Sequence, residues 1–403
     1  MRRAVLVALL GVGCGGTTAP PDAAESTDSG PSDSSGMATG PSSSGGAEPP
    51  GGGTSDGTTS ALDTTSGLDT TAEDTGESTG LPDTGPANPL PPGDHHVEIV
   101  TADGRDRIYE LHVPPGLPEG EPAPVVLALH GGGGSAEGAR YDTGLDATSD
   151  ANGFLLVYPQ GILDPDSPGM LVNATWNATS SCCGEALEQQ VDDVAYMRQL
   201  VDDLQERVWV DTQRVYATGI SNGGQMSYRL ACEAADVFAA VASVGAPGED
   251  WSTCTPARPI SVMTIQGQQD PCAVAAGGTC GGCFQQYINA VFGTNLEPIT
   301  YPCPATVEVV DDWRALGDCA ARSEVSHQQG GATCTAWACQ NKTEVVHCDV
   351  DGMGHTWPNG EYLAVCESVP NGALCQEWIN TVGPITADLS NDEIWSFFAG
   401  HTL

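Results

Sequence analysis

The sequence predicts an α/β fold, a mostly parallel sheet with helices on both faces, occupying residues 94–403. Three observations predict it. Short apolar runs alternate with stretches of helical periodicity, the pattern of strands joined by helical crossovers. Several runs, such as residues 125–130 (VVLALH) and 154–159 (FLLVYP), are apolar throughout, as strands covered on both faces are. Glycine-containing turns directly follow two strands, at residues 131–134 and at Gly219.

The elements follow in order. Residues 107–114 (RIYELHVP) alternate like a strand, and 125–130 form a buried one after Pro124. A helical stretch is expected over 139–152, then the strand 154–159. The clearest helix spans 191–208, where Val191, Val194, Met197, Leu200, Val201, Leu204 and Val208 share one face. Residues 214–218 are a strand and 222–234 a helix. Further strands are expected at 239–244, 260–265 and around 345–346, and a closing helix at 392–399. In such sheets ligands bind beyond the carboxyl ends of the strands. Residues 272–303, rich in Gly and Cys, interrupt the alternation and read as a disulfide-pinned insertion near the site.

The amino-terminal part has a different character. Met1-Arg2-Arg3 and the apolar run 4–11 read as a signal peptide covering residues 1–14, too short to span a membrane. Cys14, preceded by small residues, resembles a bacterial lipoprotein cleavage site and is the candidate lipidation position. Residues 15–93 are almost entirely Ser, Thr, Gly, Pro, Ala, Asp and Glu, a composition that cannot offset the entropy of ordering a backbone and is expected to be a disordered acidic linker. The formal net charge is -40, and Lys342 is the single lysine. Such a chain repels phosphate backbones and anionic headgroups, which excludes nucleic acid as a partner and leaves the lipid anchor as the expected membrane contact.

There are 15 cysteines, and setting Cys14 aside leaves an even number, all from Cys182 to Cys375. In an exported chain that fits up to seven disulfides and no free thiol. The adjacent Cys182 and Cys183 are expected to pair elsewhere than with each other. Cys280-Gly-Gly-Cys283 is expected to form structural disulfides rather than a zinc or redox centre.

The pattern G-x-S-x-G occurs three times, around Ser55, Ser78 and Ser221. The first two fall in the linker, where composition alone produces them. The third follows a strand and opens an apolar helix, which is what the chemistry needs. A sharp strand-to-helix turn exposes the serine oxygen, and the helix start aims backbone N–H groups at a developing oxyanion. Ser221 is therefore the candidate nucleophile, with Asn222 and Gly132, from the glycine loop after His130, as candidate oxyanion donors. His130 itself reads as structural. A serine needs a base and the base an orienting acid. Asp270, just past a strand end, is the candidate acid, with Asp349 and Asp351 as competitors. His355, in the loop GMGHTWP, is the candidate base, with His327, His347 and His401 as competitors.

These residues together place the domain in the α/β-hydrolase fold. The stretches RIYELHVPPG, VVLALHGGGGSAEG, FLLVYPQG, TWNATSSCCGEA, VDDVAYMRQLV, RVYATGISNGGQMSYRLAC, GHTWPNG and EIWSFFAGH, in that order, resemble the polyhydroxybutyrate depolymerase and feruloyl esterase group. The resemblance covers residues 107–401. It implies a Ser221–His355–Asp270 triad and two-step acyl transfer without metal or organic cofactor. Gln266 departs from the pattern, since the family usually has His there, and so does the cysteine-rich stretch. The implied function is an exported serine carboxylic ester hydrolase, acting on a polymeric substrate: feruloyl or acetyl esters of plant cell walls, or a polyester. A peptidase on the same fold and a catalytically silent carbohydrate-binding lipoprotein are the alternatives. The implied location is extracellular or at the cell surface, as an outer-membrane lipoprotein. Trp176 and Trp357, near the motifs, are candidates for stacking on an aromatic acyl group or a sugar, although packing roles suit them better.

Overall fold

The computed structural model describes residues 85–163, 174–180, 182, 184–359, 366 and 371–403. Cys14, Cys183, the signal peptide and nearly all of the linker lie outside them. Contacts divide the chain into Met1–Leu81 and Pro82–Leu403; everything below concerns the second unit.

The strands are β1 (Gly93–Val100), β2 (Asp106–Val113), β3 (Ala123–Leu129), β4 (Leu155–Pro159), β5 (Ile162–Leu163), β6 (Ala174–Thr175), β7 (Val210–Ile220), β8 (Ala240–Val244), β9 (Ser261–Gly267), β10 (Gly278–Gly281), β11 (Thr300–Cys303), β12 (Ser323–Gln329), β13 (Ala332–Ala338) and β14 (Glu344–Val350). The helices are α1 (Ala136–Thr143), α2 (Leu145–Asn152), α3 (Gly184–Glu188), α4 (Asp193–Arg207), α5 (Asn222–Glu233), α6 (Cys283–Phe292), α7 (Thr306–Leu316), α8 (Ala373–Val382) and α9 (Asn391–Ala399). One sheet of ten strands runs β1-β2-β4-β3-β7-β8-β9-β14-β13-β12. Neighbours from β4 to β14 pair in parallel, while β1-β2-β4 and β14-β13-β12 pair antiparallel. This is the α/β-hydrolase arrangement, with β7 in the middle.

The apolar strands are buried on both faces, as their composition demands. Every residue of β3 is buried. Val125, Leu127 and Leu129 face a core shared with α4, α5 and α7 (Leu200, Leu230, Val309), whereas Val126 and Ala128 face the opposite core with α2 and α9 (Leu145, Phe398). In α4 the expected stripe of Val194, Met197, Leu200, Val201 and Leu204 is buried, and the Asp192 side chain caps the helix by accepting from the Ala195 N–H.

Three differences from the sequence reading have simple causes. The stretch 139–152 is two helices, because Gly144 takes a left-handed conformation (φ 58°) that ends α1 and starts α2. The described chain is tied down before residue 94: the Leu90 N–H donates to the Arg207 carbonyl, and Gly85 lies against Trp209. The hairpin of β12 and β13 extends the sheet beyond β14, although the exposed β12 carries almost no apolar residues.

Among the described residues one ion pair is wholly buried. The Arg107 guanidinium donates to the Asp193 carboxylate at 2.8 Å and to the Gln160 carbonyl at 3.0 Å. Its face lies 3.8 Å from the Tyr196 ring centre. Asp193 also accepts from the Asn177 N–H at 2.8 Å. Buried charges are tolerated when paired and hydrogen-bonded; Arg107 Nε has no partner among the described residues, but through Nη2 the pair ties β2, the end of β4, the segment 174–180 and α4 together.

Six disulfides are described: Cys232–Cys254, Cys272–Cys283, Cys280–Cys303, Cys319–Cys339, Cys334–Cys348 and Cys366–Cys375. Cys182 is disulfide-bonded as well; the expected separation of Cys182 from Cys183 involves a residue outside those described. Cys280 and Cys283 take separate partners, so they form structural bridges and hold no zinc. Residues 272–303 are pinned by two bridges, as expected of the insertion. No helix among the described residues is long and apolar enough to cross a membrane. Alkylation of the denatured, unreduced protein is expected to label none of the described cysteines; peptide mapping that finds several labelled contradicts this pairing.

Candidate active site

The site begins with the turn between β7 and α5. β7 lies between β3 and β8, and its last residues, Gly219 and Ile220, pair beside Leu129 and Val244. Ser221 then takes φ 56° and ψ -124°, a conformation sparsely populated for a residue with a Cβ. Its N–H donates to the Val244 carbonyl at 2.9 Å. The flanking glycines are required by space. A Cβ on Gly223 would lie 2.4 Å from the Leu129 carbonyl oxygen and 2.5 Å from that of His130. A Cβ on Gly219 would lie 2.6 Å from the Gly223 carbonyl carbon. Among the described residues the Ser221 hydroxyl has no hydrogen-bond partner, and the residue lines a cavity.

His355 lines the same cavity. Its loop is held by backbone bonds from Gly354 to the Pro384 carbonyl at 2.7 Å and from His355 to the Val382 carbonyl at 2.6 Å. Its Nδ1 lies 2.8 Å from Asp270 Oδ2. The other oxygen, Oδ1, accepts from the N–H groups of Cys272 and Ala273, each at 2.8 Å. A carboxylate so committed keeps Nδ1–H pointing at itself, which puts the imidazole lone pair on Nε2. The Asp270 side chain has no solvent exposure. The competitors are engaged elsewhere: Asp349 accepts from Gln268, His347 lies 3.5 Å from Asp349, and His401 lies beside Glu344. Cys272 lies near Asp270 and His355 at ligand distance, but its sulfur is bonded to Cys283 and cannot serve as a thiolate.

The glycine loop lies beside the turn: a Cβ on Gly131 would come within 3.4 Å of the Ser221 Cβ. Gly133 donates its N–H to the Ala174 carbonyl and Gly134 donates to the Gly131 carbonyl. That leaves the earlier glycines, Gly132 among them, to offer an N–H to a ligand. The Asn222 N–H is one of the first in α5, where no carbonyl of the helix can take it. The Asn222 side chain is fixed separately. Its Oδ1 accepts from the Trp176 N–H at 2.7 Å and its Nδ2 donates to the Trp176 carbonyl at 3.1 Å. The Trp176 indole donates to the His130 carbonyl at 2.9 Å. Trp176 is completely buried and does not line the cavity, so stacking on a ligand is corrected to a supporting role. His130 is structural: Nδ1 donates to the Gly131 carbonyl, Nε2 accepts from the Gly161 N–H, and burial pushes its pKa down to about 4.

The cavity encloses about 360 Å³, a size usual for a small-ligand site. Trp357 lines it, but its indole N–H is committed to Asn391 Oδ1 at 2.7 Å. The cysteine-rich insertion supplies much of one wall, through Phe284, Ile299 and Tyr301, and α8 adds Trp378 and Val382. Tyr301 was not among the sequence candidates; its hydroxyl accepts from Gln225 Nε2 at 2.9 Å. Asp142 also lines the cavity and was not singled out, because on sequence it is one more polar residue of a helix. Gln266 is buried, donating to the Gly267 and Ala273 carbonyls at 2.9 and 2.8 Å and accepting from Thr306 at 3.2 Å. The Ala273 it grips is one of the residues whose N–H holds Asp270.

Comparison with known proteins gives the family. Residues 107–280 match the family described as Esterase PHB depolymerase. The chain is 36% identical over 279 residues to a putative esterase, NocK, of Nocardia uniformis subsp. tsuyamanensis, covering 66% of this chain and 74% of that protein. It is 26% identical to feruloyl esterase B of Piromyces equi, over 62% of this chain and 42% of the relative. It is 27% identical to a poly(3-hydroxybutyrate) depolymerase of Ralstonia pickettii, over 61% and 50%. The match thus spans half or less of the length of these last two relatives. Among solved structures, an acetyl xylan esterase from Aspergillus awamori superimposes with a TM-score of 0.45 at 15% identity, over 76% of this chain and 99% of that one. With the family match and the similarity to NocK, the chain belongs to the Esterase PHB depolymerase family and is a carboxylic ester hydrolase of the α/β-hydrolase fold.

Proposed function

We propose that Ser221, His355 and Asp270 form the catalytic triad of this esterase, with the N–H groups of Asn222 and Gly132 as the oxyanion hole. The observation that carries the reading is the 2.8 Å contact of His355 Nδ1 with a buried, doubly anchored Asp270, at the edge of the cavity that Ser221 lines. His355 Nε2 takes the hydroxyl proton as Ser221 Oγ attacks the ester carbonyl. The carbonyl oxygen becomes an oxyanion facing the two N–H groups. Collapse breaks the bond to the alcohol, which leaves with the proton from His355. Water, deprotonated by His355, then attacks the acyl-enzyme and releases the acid and Ser221. Asp270 keeps the imidazole in the productive tautomer and stabilises its cation. Oxyanion donors are worth about 10²–10³ in rate because the pair is fixed before reaction.

The substrate reading follows the cavity and the relatives. An apolar, aromatic-walled cavity suits a feruloyl or short hydroxyacyl group, and the named relatives act on feruloyl esters and on poly(3-hydroxybutyrate). The many disulfides suit an oxidising compartment. Export by residues 1–14, lipidation of Cys14, and a linker over residues 15–93 carrying the esterase domain 94–403 complete the reading. In it the protein stands at the cell surface with a polymeric ester as its substrate.

Two measurements test the chemistry. Ser221→Ala is expected to lower kcat/KM for p-nitrophenyl butyrate by about 10³-fold or more, and Asp270→Asn by roughly 10²- to 10⁴-fold; wild-type rates in Ser221→Ala would remove the triad. By contrast, His130 is expected to take no part in proton transfer. Its imidazole signal, assigned by comparison with His130→Gln, should stay neutral at pH 5.5 in an NMR titration, because burial holds its pKa near about 4. The sign follows from linkage: the unfolded chain takes up this proton at about pH 6.5 and the folded one only near 4, so this group costs stability as pH falls through that window. Protonation near pH 6.5 in the folded protein would contradict its sealed position.

A further inference from the structure

Among the described residues Asp142 is the one acidic side chain on the cavity wall, and the mechanism does not use it. It sits in the last turn of α1, where the helix dipole disfavours a negative charge. Much of the cavity it lines is apolar or aromatic, through Ile220, Phe284, Ile299, Trp357, Trp378 and Val382. The acids around it are all satisfied. Asp94 and Asp146 share the Arg140 guanidinium, and Asp94 and Asp150 flank His112. Tyr158 donates to Asp146 as well. Asp142 alone of this group has neither ion pair nor hydrogen bond among the described residues, and Arg140, two positions away, pairs with Asp94 and Asp146 instead.

A half-buried carboxyl without a partner costs stability, and burial pushes its pKa up to about 7. A group kept in that state inside a cavity has surface to offer a ligand. A few polar groups in an otherwise apolar pocket are what fix a ligand's orientation. A carboxyl poised between its neutral and ionised forms accepts a hydrogen bond from a hydroxyl in either form, whereas a cationic ligand would pair only with the ionised one.

We propose that Asp142 is a specificity-determining residue of the cavity, accepting a hydrogen bond from a hydroxyl group carried by the ester substrate. The inference rests on the reading of Ser221 as nucleophile and deepens it: the preferred substrates are hydroxylated esters, not simple alkyl ones. A site built to pair a substrate hydroxyl discriminates strongly against an analogue lacking it, because the buried group is then left unpaired.

The test compares kcat/KM within matched pairs, using the full chain. The pairs are p-nitrophenyl 3-hydroxybutyrate with p-nitrophenyl butyrate, methyl ferulate with methyl 3,4-dimethoxycinnamate, and 2-hydroxyethyl butyrate with propyl butyrate. Wild type is expected to favour the hydroxylated member of at least one pair by about 10- to 100-fold, the range of one hydrogen bond to a charged acceptor. Asp142→Leu, with Asp142→Ala beside it in case the larger side chain disturbs α1, is expected to collapse that ratio to near unity. Ratios unchanged in all three pairs, or an equal loss for both members, overturn the inference. So does a selective loss of butyrylcholine hydrolysis with the pair ratios intact, which would assign the carboxyl to cations. Failure of the underlying reading looks different: Ser221→Ala would then retain activity, whatever the ratios.

Discussion

The structure depends on one crowded backbone turn. Ser221 is held at φ 56° and ψ -124°, which costs of order 1–3 kcal/mol and persists only where the surroundings leave the chain no alternative. Those surroundings are specific. Gly219 and Gly223 lie too close to each other, and to the carbonyls of Leu129 and His130, for any side chain to fit. The serine N–H is fixed to Val244 on the next strand. A parallel sheet with β3 and β8 on either side of β7 is what brings those three carbonyls to the turn, so the strain at Ser221 is maintained by the central strands of the fold.

A second tier of constraint holds what faces the serine. Asn222 follows Ser221, and its side chain grips the backbone of Trp176 in both directions. Trp176 in turn holds the His130 carbonyl, and His130 bridges the Gly131 carbonyl and the Gly161 N–H. The segment carrying Trp176 is fixed at Asn177 by Asp193, the partner of the buried Arg107. A chain of polar contacts therefore connects β2, next to the edge strand, to the glycine loop beside Ser221. Each member is paired, and in a medium of low dielectric removing one would strand its neighbour.

How much of this the sequence discloses depends on whether the cause is local. The buried strands and α4 are legible, since their apolar patterns reflect burial on both faces or on one. Ser221 is legible from context, a strand before and a helix after, because the G-x-S-x-G pattern itself recurs around Ser55 and Ser78. Gly144 could have been read as a helix break, but a glycine inside a polar helical stretch gives no sign of its φ. The disulfide pairing was not legible, because it depends on which loops meet in space. Neither was the role of Trp176, whose burial comes from segments on other strands, nor that of Asp142, which differs from its neighbours Asp146 and Asp150 only in the direction it faces.

Gln266 supports the loop that carries Asp270. It reaches across the loop of Asp270 to the Ala273 carbonyl and is itself held by Thr306 at the start of α7. Ala273 and Cys272 supply the N–H groups that fix Asp270, and Cys272 is bridged to Cys283 at the start of α6. The same short segment thus ends the acid loop and begins the cysteine-rich insertion, whose later residues wall the cavity through Tyr301 and Ile299. Anchoring the insertion and anchoring the carboxylate are one structural task. The bridge at Cys272 therefore steadies both the cavity wall and the carboxylate that contacts His355.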